Sequence, residues 1–280
     1  MQLLLLVIAA LLAVGVDLLS WRRGLTPPAH RLLPEWPLSS RIGPMVLRAF
    51  GWGAVAVVLW IAVLSPIASF GQPPPESFEG VSPAGLFVLH AGFFVALVLW
   101  FGSGFLPRLP VSPRIWWRVW SAQLGWRASK ISRELALGLA AGVAGWTAVL
   151  AIVYGVAAVA WAVGAEELVP QEPPAVMEYL IGLPVAVRLA LAASAGLAEE
   201  TFFRGFLQPR AGIALSSTLF VLAHLSYGQP FMLLGVALLS ILFAWLVRWR
   251  QSIWAAVVAH ATFDAIQLLV VLPVLHRYGL

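Results

Sequence analysis

The stretch at residues 135–164 reads LALGLAAGVAGWTAVLAIVYGVAAVAWAVG and carries no charged side chain across 30 positions. A bilayer core about 30 Å thick is crossed by a helix of roughly 20 apolar residues, so this run is long enough to span a membrane. Gly138 and Gly142 form a G-x-x-x-G spacing within it, which more often marks close helix packing within one chain than a dimer face. The stretch therefore predicts a transmembrane helix.

The composition extends this prediction to the whole chain. Its 280 residues are 61% hydrophobic and only 10% charged, whereas a soluble domain has roughly 25% charged residues. A water-soluble fold is excluded. The net charge of +5 does not indicate a nucleic-acid partner, because the basic residues lie in short loops and not on one soluble face. The chain contains no cysteine, which excludes a disulfide framework and a thiol nucleophile.

We expect an all-α fold, a polytopic integral membrane bundle of about eight transmembrane helices. Residues 1–134 hold the N-terminal spans and a basic, Trp-rich cytoplasmic loop, and residues 135–280 hold the core with the polar motifs described below. Together they form a single membrane domain. The predicted spans are residues 2–20, 46–70, 84–106, 135–164, 182–208, 212–228, 230–248 and 252–275.

The loop charges predict an orientation for these spans. Basic side chains follow the first, third, fifth and seventh spans, whereas glutamates follow the second and fourth. Because Lys and Arg are retained on the cytoplasmic side, both termini are expected outside the cytoplasm, and eight spans are favoured over seven. The loop from Pro113 to Arg133 interleaves four tryptophans with basic residues, which is typical of an amphipathic helix at the headgroups or of an ordinary aromatic belt.

Ionisable residues within the spans are concentrated in the last third of the chain. A charged side chain at mid-bilayer costs at least ~2.5 kcal/mol, so each one requires a reason. The fifth span contains the sequence AEETFFR at residues 198–204. Positions i and i+4 share a helix face, so Glu200 can pair with Arg204 while Glu199 points elsewhere. That pair alone is equally well explained as purely structural.

Polar groups on three predicted helices reach a common depth. Counting ~1.5 Å per residue from Arg210 and Arg250 places four side chains roughly 15 to 21 Å inward, namely Glu199, His224, His260 and Asp264. Such groups usually mark function in a membrane, although a buried ion-pair network is the structural alternative. We expect His90 and Asp17 to be structural, and Arg188 to extend to water from the outer end of its helix.

These residue types suit hydrolysis by an activated water. Glu199 can act as a base with His224, while His260 and Asp264 stabilise a tetrahedral intermediate. Two imidazoles and one or two carboxylates also make a zinc site with an open position. The sequence lacks H-E-x-x-H and G-x-S-x-G. Intramembrane Glu, His and Asp also build proton relays, so a proton-coupled transporter is the alternative, although no repeated half is visible.

Three motifs resemble those of one enzyme family. Glu199-Glu200-x-x-x-Arg204, Phe220-x-x-x-His224 and His260-x-x-x-Asp264 are similar, in order and on separate helices, to the motifs of the CAAX protease and bacteriocin-processing enzyme (CPBP) family. These intramembrane endopeptidases are related to the type II CAAX prenyl protease. The resemblance covers about residues 180–270. It implies an eight-helix fold, a cavity open to membrane and cytoplasm, and peptide-bond hydrolysis.

The resemblance also implies roles for six residues. Glu199 would activate water with His224, Glu200 and Arg204 would shape the site, and His260 and Asp264 would contact the oxyanion or a metal. Many members carry asparagine where this chain has Asp264. An ionised aspartate would repel an oxyanion, so Asp264 must be protonated, orient His260 or bind a cation.

The family resemblance further implies a cofactor and partners. Its members are usually labelled metalloproteases, so zinc or another divalent metal is expected at Glu199, His224, His260 and Asp264, with a metal-free mechanism as the alternative. The expected partners are the lipid bilayer and a hydrophobic or lipidated peptide or protein substrate, in a bacterial cell membrane. A non-catalytic bacteriocin-immunity protein on the same fold is a further alternative. The sequence indicates no oligomeric state.

Overall fold

The chain folds into a bundle of helices. A computed structural model describes residues 2–25, 42–71, 81–105, 112–169, 175–227 and 229–278, and these ranges contain helices and turns but no strand. This confirms the all-α membrane bundle. The α-helices are α1 (Gln2–Arg22), α2 (Ile42–Leu59), α3 (Ser65–Ser69), α4 (Val88–Phe105), α5 (Pro113–Gln123), α6 (Ile131–Ala162), α7 (Ala175–Gly182), α8 (Val185–Glu199), α9 (Gln208–Ala211), α10 (Ile213–Ala223), α11 (Pro230–Arg250), α12 (Trp254–Ile266) and α13 (Leu272–Tyr278).

Shorter helical segments connect several of these elements. Three of them are wider, π-helical turns that continue an α-helix without a break, at Trp60–Leu64, Glu200–Leu207 and Gln267–Val271. Three others are 3-10 helices, at Pro83–Phe87, Glu166–Leu168 and Leu225–Tyr227. Because π-helical turns are rare and often lie at functional sites, the eight-residue turn after α8 is the most informative of the six.

Six helices within the described ranges are long and apolar enough to cross a membrane, at Gln2–Arg22, Arg48–Ser69, Pro83–Ser103, Ile131–Ala162, Phe231–Arg250 and Trp254–Arg277. They correspond to the predicted first to fourth, seventh and eighth spans. The predicted fifth span is the continuous helix from α8 to α9, which carries five charged residues, and the predicted sixth is the short apolar segment Ile213–Tyr227. Helix α7 lies in a stretch predicted as a loop.

Glycines allow α12 to pack closely between α6 and α8. A Cβ atom at Gly142 would lie 2.7 Å from the Ala259 carbonyl oxygen, and one at Gly138 would lie 2.8 Å from the Ala255 oxygen. On the other side, a Cβ at Gly196 would lie 2.6 Å from the Val257 oxygen. The G-x-x-x-G spacing therefore serves packing within the chain, as predicted. This packing holds α12, which carries His260, against α8, which carries Glu199.

The connections that follow the first, third, fifth and seventh predicted spans meet at one end of the bundle. Arg23 after α1 donates to the Pro209 carbonyl at 2.6 Å, and Arg210 donates to Gln123 Oε1 of α5 at 3.2 Å. Arg250 at the end of α11 binds the buried Glu134 at the start of α6 at 2.7 Å. We call this end the basic end. Some of the charged loop residues on which the predicted orientation depends lie outside the described residues, namely Arg31, Arg41, Glu76, Glu79, Arg108 and Glu172.

The Trp-rich loop forms a short helix at the basic end. Helix α5 spans Pro113–Gln123, with Trp117 exposed to 57% and Trp120 buried against Phe101 at a ring distance of 5.3 Å. The chain then turns at Gly125, where φ is +68°, a conformation that favours glycine. A helix therefore forms in this loop, but it ends at Gln123, about ten residues before Arg133.

Two isolated polar residues find partners within the bundle. Asp17 pairs with the buried Arg48, which also donates to the Trp100 carbonyl at 3.0 Å, so the structural interpretation of Asp17 is confirmed. The expectation for Arg188 is wrong, because this residue is buried and donates to the Leu268 carbonyl at 2.8 Å. Leu268 lies in the π-helical turn Gln267–Val271, and its carbonyl offers an acceptor inside the protein that makes extension to water unnecessary.

Candidate active site

The carboxylate of Glu199 lies between two imidazole rings. Its Oε2 is 3.7 Å from His224 Nε2, and its Oε1 is 3.7 Å from His90 Nε2. The three side chains are largely buried, with 11 to 14% of their surface exposed. Both separations exceed the roughly 2.7–3.2 Å of a direct hydrogen bond. A water molecule can therefore contact the carboxylate and a ring nitrogen at once.

The ring of His224 is oriented by its own helix. His224 caps the C-terminal end of α10, where the last carbonyl groups lack helical partners. Its Nδ1 lies 2.7 Å from the Phe220 carbonyl oxygen. A carbonyl oxygen only accepts hydrogen bonds, so Nδ1 carries the hydrogen and donates it. Nε2 is consequently the nitrogen that faces Glu199, and it can accept a proton.

Glu200 is fully buried and belongs to a second cluster. Its Oε2 lies 3.3 Å from Arg204 Nε, so the expected i,i+4 pair forms. Its Oε1 accepts a hydrogen bond of 2.9 Å from His260 Nδ1. Arg204 also donates to Ser240 Oγ at 3.0 Å. Glu200 therefore joins the helix that follows α8 to α12, and Arg204 joins it to α11.

His260 is held on both of its ring nitrogens. While Nδ1 binds Glu200, Nε2 lies 3.4 Å from Asp264 Oδ2. The ring is stacked on Phe243 with 5.0 Å between ring centroids. The Asp264 side chain is 27% exposed, against 8% for His260. Asp264 is thus the most accessible of the six predicted residues, and its position supports the role of orienting His260.

Phe220 lies between the two clusters. Its ring centroid is 4.6 Å from that of His224 and 6.0 Å from that of His260, and the Arg204 guanidinium lies 3.9 Å from the ring. A guanidinium over an aromatic face is attracted by the ring electrons. The structure thus brings the six predicted residues together as two adjacent clusters. Glu199 and His224 form one, and Glu200, Arg204, His260 and Asp264 form the other.

Helical geometry explains why the neighbouring glutamates serve different clusters. Glu199 is the last residue of α8, and Glu200 opens the π-helical turn Glu200–Leu207, whose eight residues are all buried. Successive helical residues diverge by ~100°. Glu199 therefore faces His90 of α4 and His224 at the end of α10, while Glu200 faces His260 of α12.

The predicted metal ligands do not surround one point. Glu199 and His224 lie in the first cluster, while both ring nitrogens of His260 face carboxylates of the second. Within the described part of the chain, no three His, Asp or Glu side chains are grouped so that they can hold a metal ion. As the structure places them, the four residues do not fit a single zinc or other divalent ion, and no step below uses one.

His90 is the residue at this site that the sequence analysis assigned a structural role. It lies on α4, in the segment 1–134 where no site residue was predicted. The three motifs do not include it, and its contact with Glu199 is tertiary. The one available signal was a histidine within an otherwise apolar span, which is a functional hypothesis by default.

Residues 181–266 match the family model described as type II CAAX prenyl endopeptidase Rce1-like. The matched segment runs from the end of α7 through α12 and contains all six predicted residues. It leaves out α4 and therefore His90. The match confirms the resemblance to the CPBP family for this part of the chain. No curated protein and no solved structure matches the chain at a significant level.

Proposed function

We propose that this protein is an intramembrane endopeptidase that hydrolyses a peptide bond of a membrane-associated substrate, either a prenylated CAAX-type tail or another hydrophobic peptide. The observation that carries the proposal is the buried Glu199 carboxylate facing His224 Nε2 at 3.7 Å. Glu199 Oε2 has no hydrogen-bond partner within the described part of the chain, so it is free to bind a water. The family match over residues 181–266 supports the same chemistry.

The proposed reaction begins with a water between Glu199 Oε2 and His224 Nε2. Glu199 takes one proton from this water, and the water oxygen forms a bond to the carbonyl carbon of the scissile peptide. The carbonyl π electrons move to its oxygen and give a tetrahedral oxyanion. When the C–N bond breaks, Glu199 returns the proton to the leaving nitrogen. As the C–N bond breaks, the oxyanion re-forms the C=O bond, so the direct products are a carboxylic acid and an amine, and Glu199 is restored as a carboxylate. Transfer of the proton of the acid to the amine then gives a carboxylate and an ammonium group.

The second cluster has a supporting role in this proposal. Because both nitrogens of His260 already face carboxylates, donation to the oxyanion requires one of these contacts to open. Of the two contacts of His260, the one between Nε2 and Asp264 is longer, at 3.4 Å, than the one between Nδ1 and Glu200, at 2.9 Å. It also lies on the more accessible side of the ring, since the Asp264 side chain is 27% exposed. We therefore assign Asp264 to orienting His260, and Glu200 with Arg204 to fixing α8 against α11 and α12.

The proposal includes an orientation in the membrane. The connections after α1 and α11 meet at the basic end with α5 and α9. We propose that this end faces the cytoplasm, in accord with the retention of Lys and Arg on that side, and that both termini lie outside it. A bacterial cell membrane is the proposed location.

A cleavage assay with purified protein tests the proposed function. The probe is an internally quenched peptide with a farnesylated CAAX tail, together with its unprenylated form. We expect Glu199→Gln to lower kcat about 10²- to 10⁴-fold, the range of general acid–base catalysis, while substitution of the exposed Glu167 by Gln leaves it unchanged. Equal cleavage by wild type and Glu199→Gln would overturn the proposal. Metal analysis of the same preparations tests the cofactor.

A further inference from the structure

His90 contacts the proposed base from the side opposite His224. His90 is the third residue of α4, and its Nε2 is 3.7 Å from Glu199 Oε1. The same helix packs against the π-helical turn after α8, where the ring centroids of Phe93 and Phe202 lie 4.6 Å apart. Helix α4 is therefore firmly placed at this position, and His90 is held next to Glu199 by the packing of the two helices.

A serine on α8 fixes the direction of the His90 ring. His90 Nδ1 lies 2.9 Å from Ser194 Oγ, and the Ser194 hydroxyl donates to the Leu191 carbonyl at 3.0 Å. A hydroxyl has a single hydrogen. Since that hydrogen is used for Leu191, Ser194 Oγ accepts and His90 Nδ1 donates. Nε2 is thereby directed at Glu199, in the same way that the Phe220 carbonyl directs Nε2 of His224.

The two oxygens of Glu199 consequently face two different imidazoles. Oε1 faces His90 and Oε2 faces His224, each at 3.7 Å. A carboxylate with a ring on each side has little freedom to rotate. We infer that His90 is a positioning residue for the hydrolysis proposed above, on which this inference rests. A water that donates to both Oε1 and His90 Nε2 would hold Oε1 on that side, so that Oε2 is the oxygen directed to His224 and the reacting water.

Two substitutions separate this role from simple space filling. His90→Phe keeps an aromatic ring, including its edge contact with Phe87, but loses both nitrogens. His90→Gln loses the ring but retains a nitrogen that can reach Glu199. A positioning role predicts that His90→Gln is the more active variant. A space-filling role predicts the opposite order, with His90→Phe close to wild type.

The measurement is kcat and KM for the farnesylated quenched peptide, with unfolding temperature recorded for each variant. We expect His90→Phe to lower kcat about 3- to 10-fold, the size of one lost hydrogen bond, here bridged by a water, with KM changed less than about twofold. Ser194→Ala is expected to lower kcat in the same sense but less, because the ring remains. His276→Phe, at an exposed position of α13, is the matched control and is expected to have no effect.

The outcomes distinguish this inference from the proposed function. If Glu199→Gln abolishes cleavage but His90→Phe retains wild-type kcat, the inference falls and the proposed function stands. If His90→Phe is more active than His90→Gln, His90 fills space and the inference is likewise overturned. Cleavage that does not depend on Glu199 would overturn both. The inference is supported when His90→Phe loses kcat without loss of folding and His90→Gln recovers part of it.

Discussion

Glu200 and His260 are joined by a hydrogen bond of 2.9 Å that links the end of α8 to α12. The same carboxylate lies 3.3 Å from Arg204, and both Glu200 and Arg204 are fully buried. Glu200→Ala would leave the guanidinium and the imidazole without this partner. Removing one member of a buried ion pair costs about 3–5 kcal/mol. We expect a clearly lower unfolding temperature in detergent, measured by thermal shift.

Glu199→Gln is the matched control for this prediction, since it alters the adjacent residue on the same helix. In the wild-type protein, the two carboxylate oxygens of Glu199 each lie 3.7 Å from an imidazole nitrogen and make no closer ionic contact within the described residues. We expect its unfolding temperature to stay near that of wild type while its activity is lost. Equal destabilisation by the two substitutions would show that the glutamates do not divide into a reactive and a supporting residue.

Much of this site follows from local sequence rules, and the rest depends on which helices become neighbours. The i,i+4 spacing predicted the contacts of Glu200 with Arg204 and of His260 with Asp264, because helical geometry alone brings them together. The bond between Glu200 and His260 and the contact of His90 with Glu199 cross between helices. Periodicity indicates which face a residue occupies, but it does not identify the helix that packs there.

Asp264→Asn tests the role of the residue that departs from the pattern common in the family. An asparagine can still contact His260 Nε2, now 3.4 Å from Asp264 Oδ2, but it carries no charge. If Asp264 orients His260, we expect Asp264→Asn to change kcat less than about fivefold, equivalent to about 1 kcal/mol. Asp264→Leu is expected to lose more. Loss of cleavage in Asp264→Asn as complete as in Asp264→Leu would instead indicate that the negative charge is required.

The packing of α6 on α12 predicts opposite effects for two glycines of the same helix. A Cβ at Gly142 would lie 2.7 Å from the Ala259 carbonyl oxygen, whereas a Cβ at Gly155 would meet nothing within 4 Å. We expect Gly142→Ala to destabilise the protein by about 1–3 kcal/mol through overpacking. Gly155→Ala is expected to be neutral or to stabilise, because alanine favours a helix by roughly 0.5–1 kcal/mol over glycine. The measurement is the unfolding temperature of the two variants, and a Gly142→Ala protein as stable as Gly155→Ala would contradict the close approach of α6 to α12.

The absence of cysteine makes the proposed orientation directly measurable, because a single introduced thiol reports its own side of the membrane. Arg22 is exposed at the end of α1, at the basic end, and Glu167 is exposed in the connection after α6. In intact cells, a membrane-impermeant maleimide is expected to label Glu167→Cys and to leave Arg22→Cys unlabelled until the membrane is permeabilised. This follows from retention of basic loops in the cytoplasm. The reverse labelling pattern would place both termini in the cytoplasm. Labelling of both positions before permeabilisation would contradict the placement of Arg22 and Glu167 at opposite ends of the bundle.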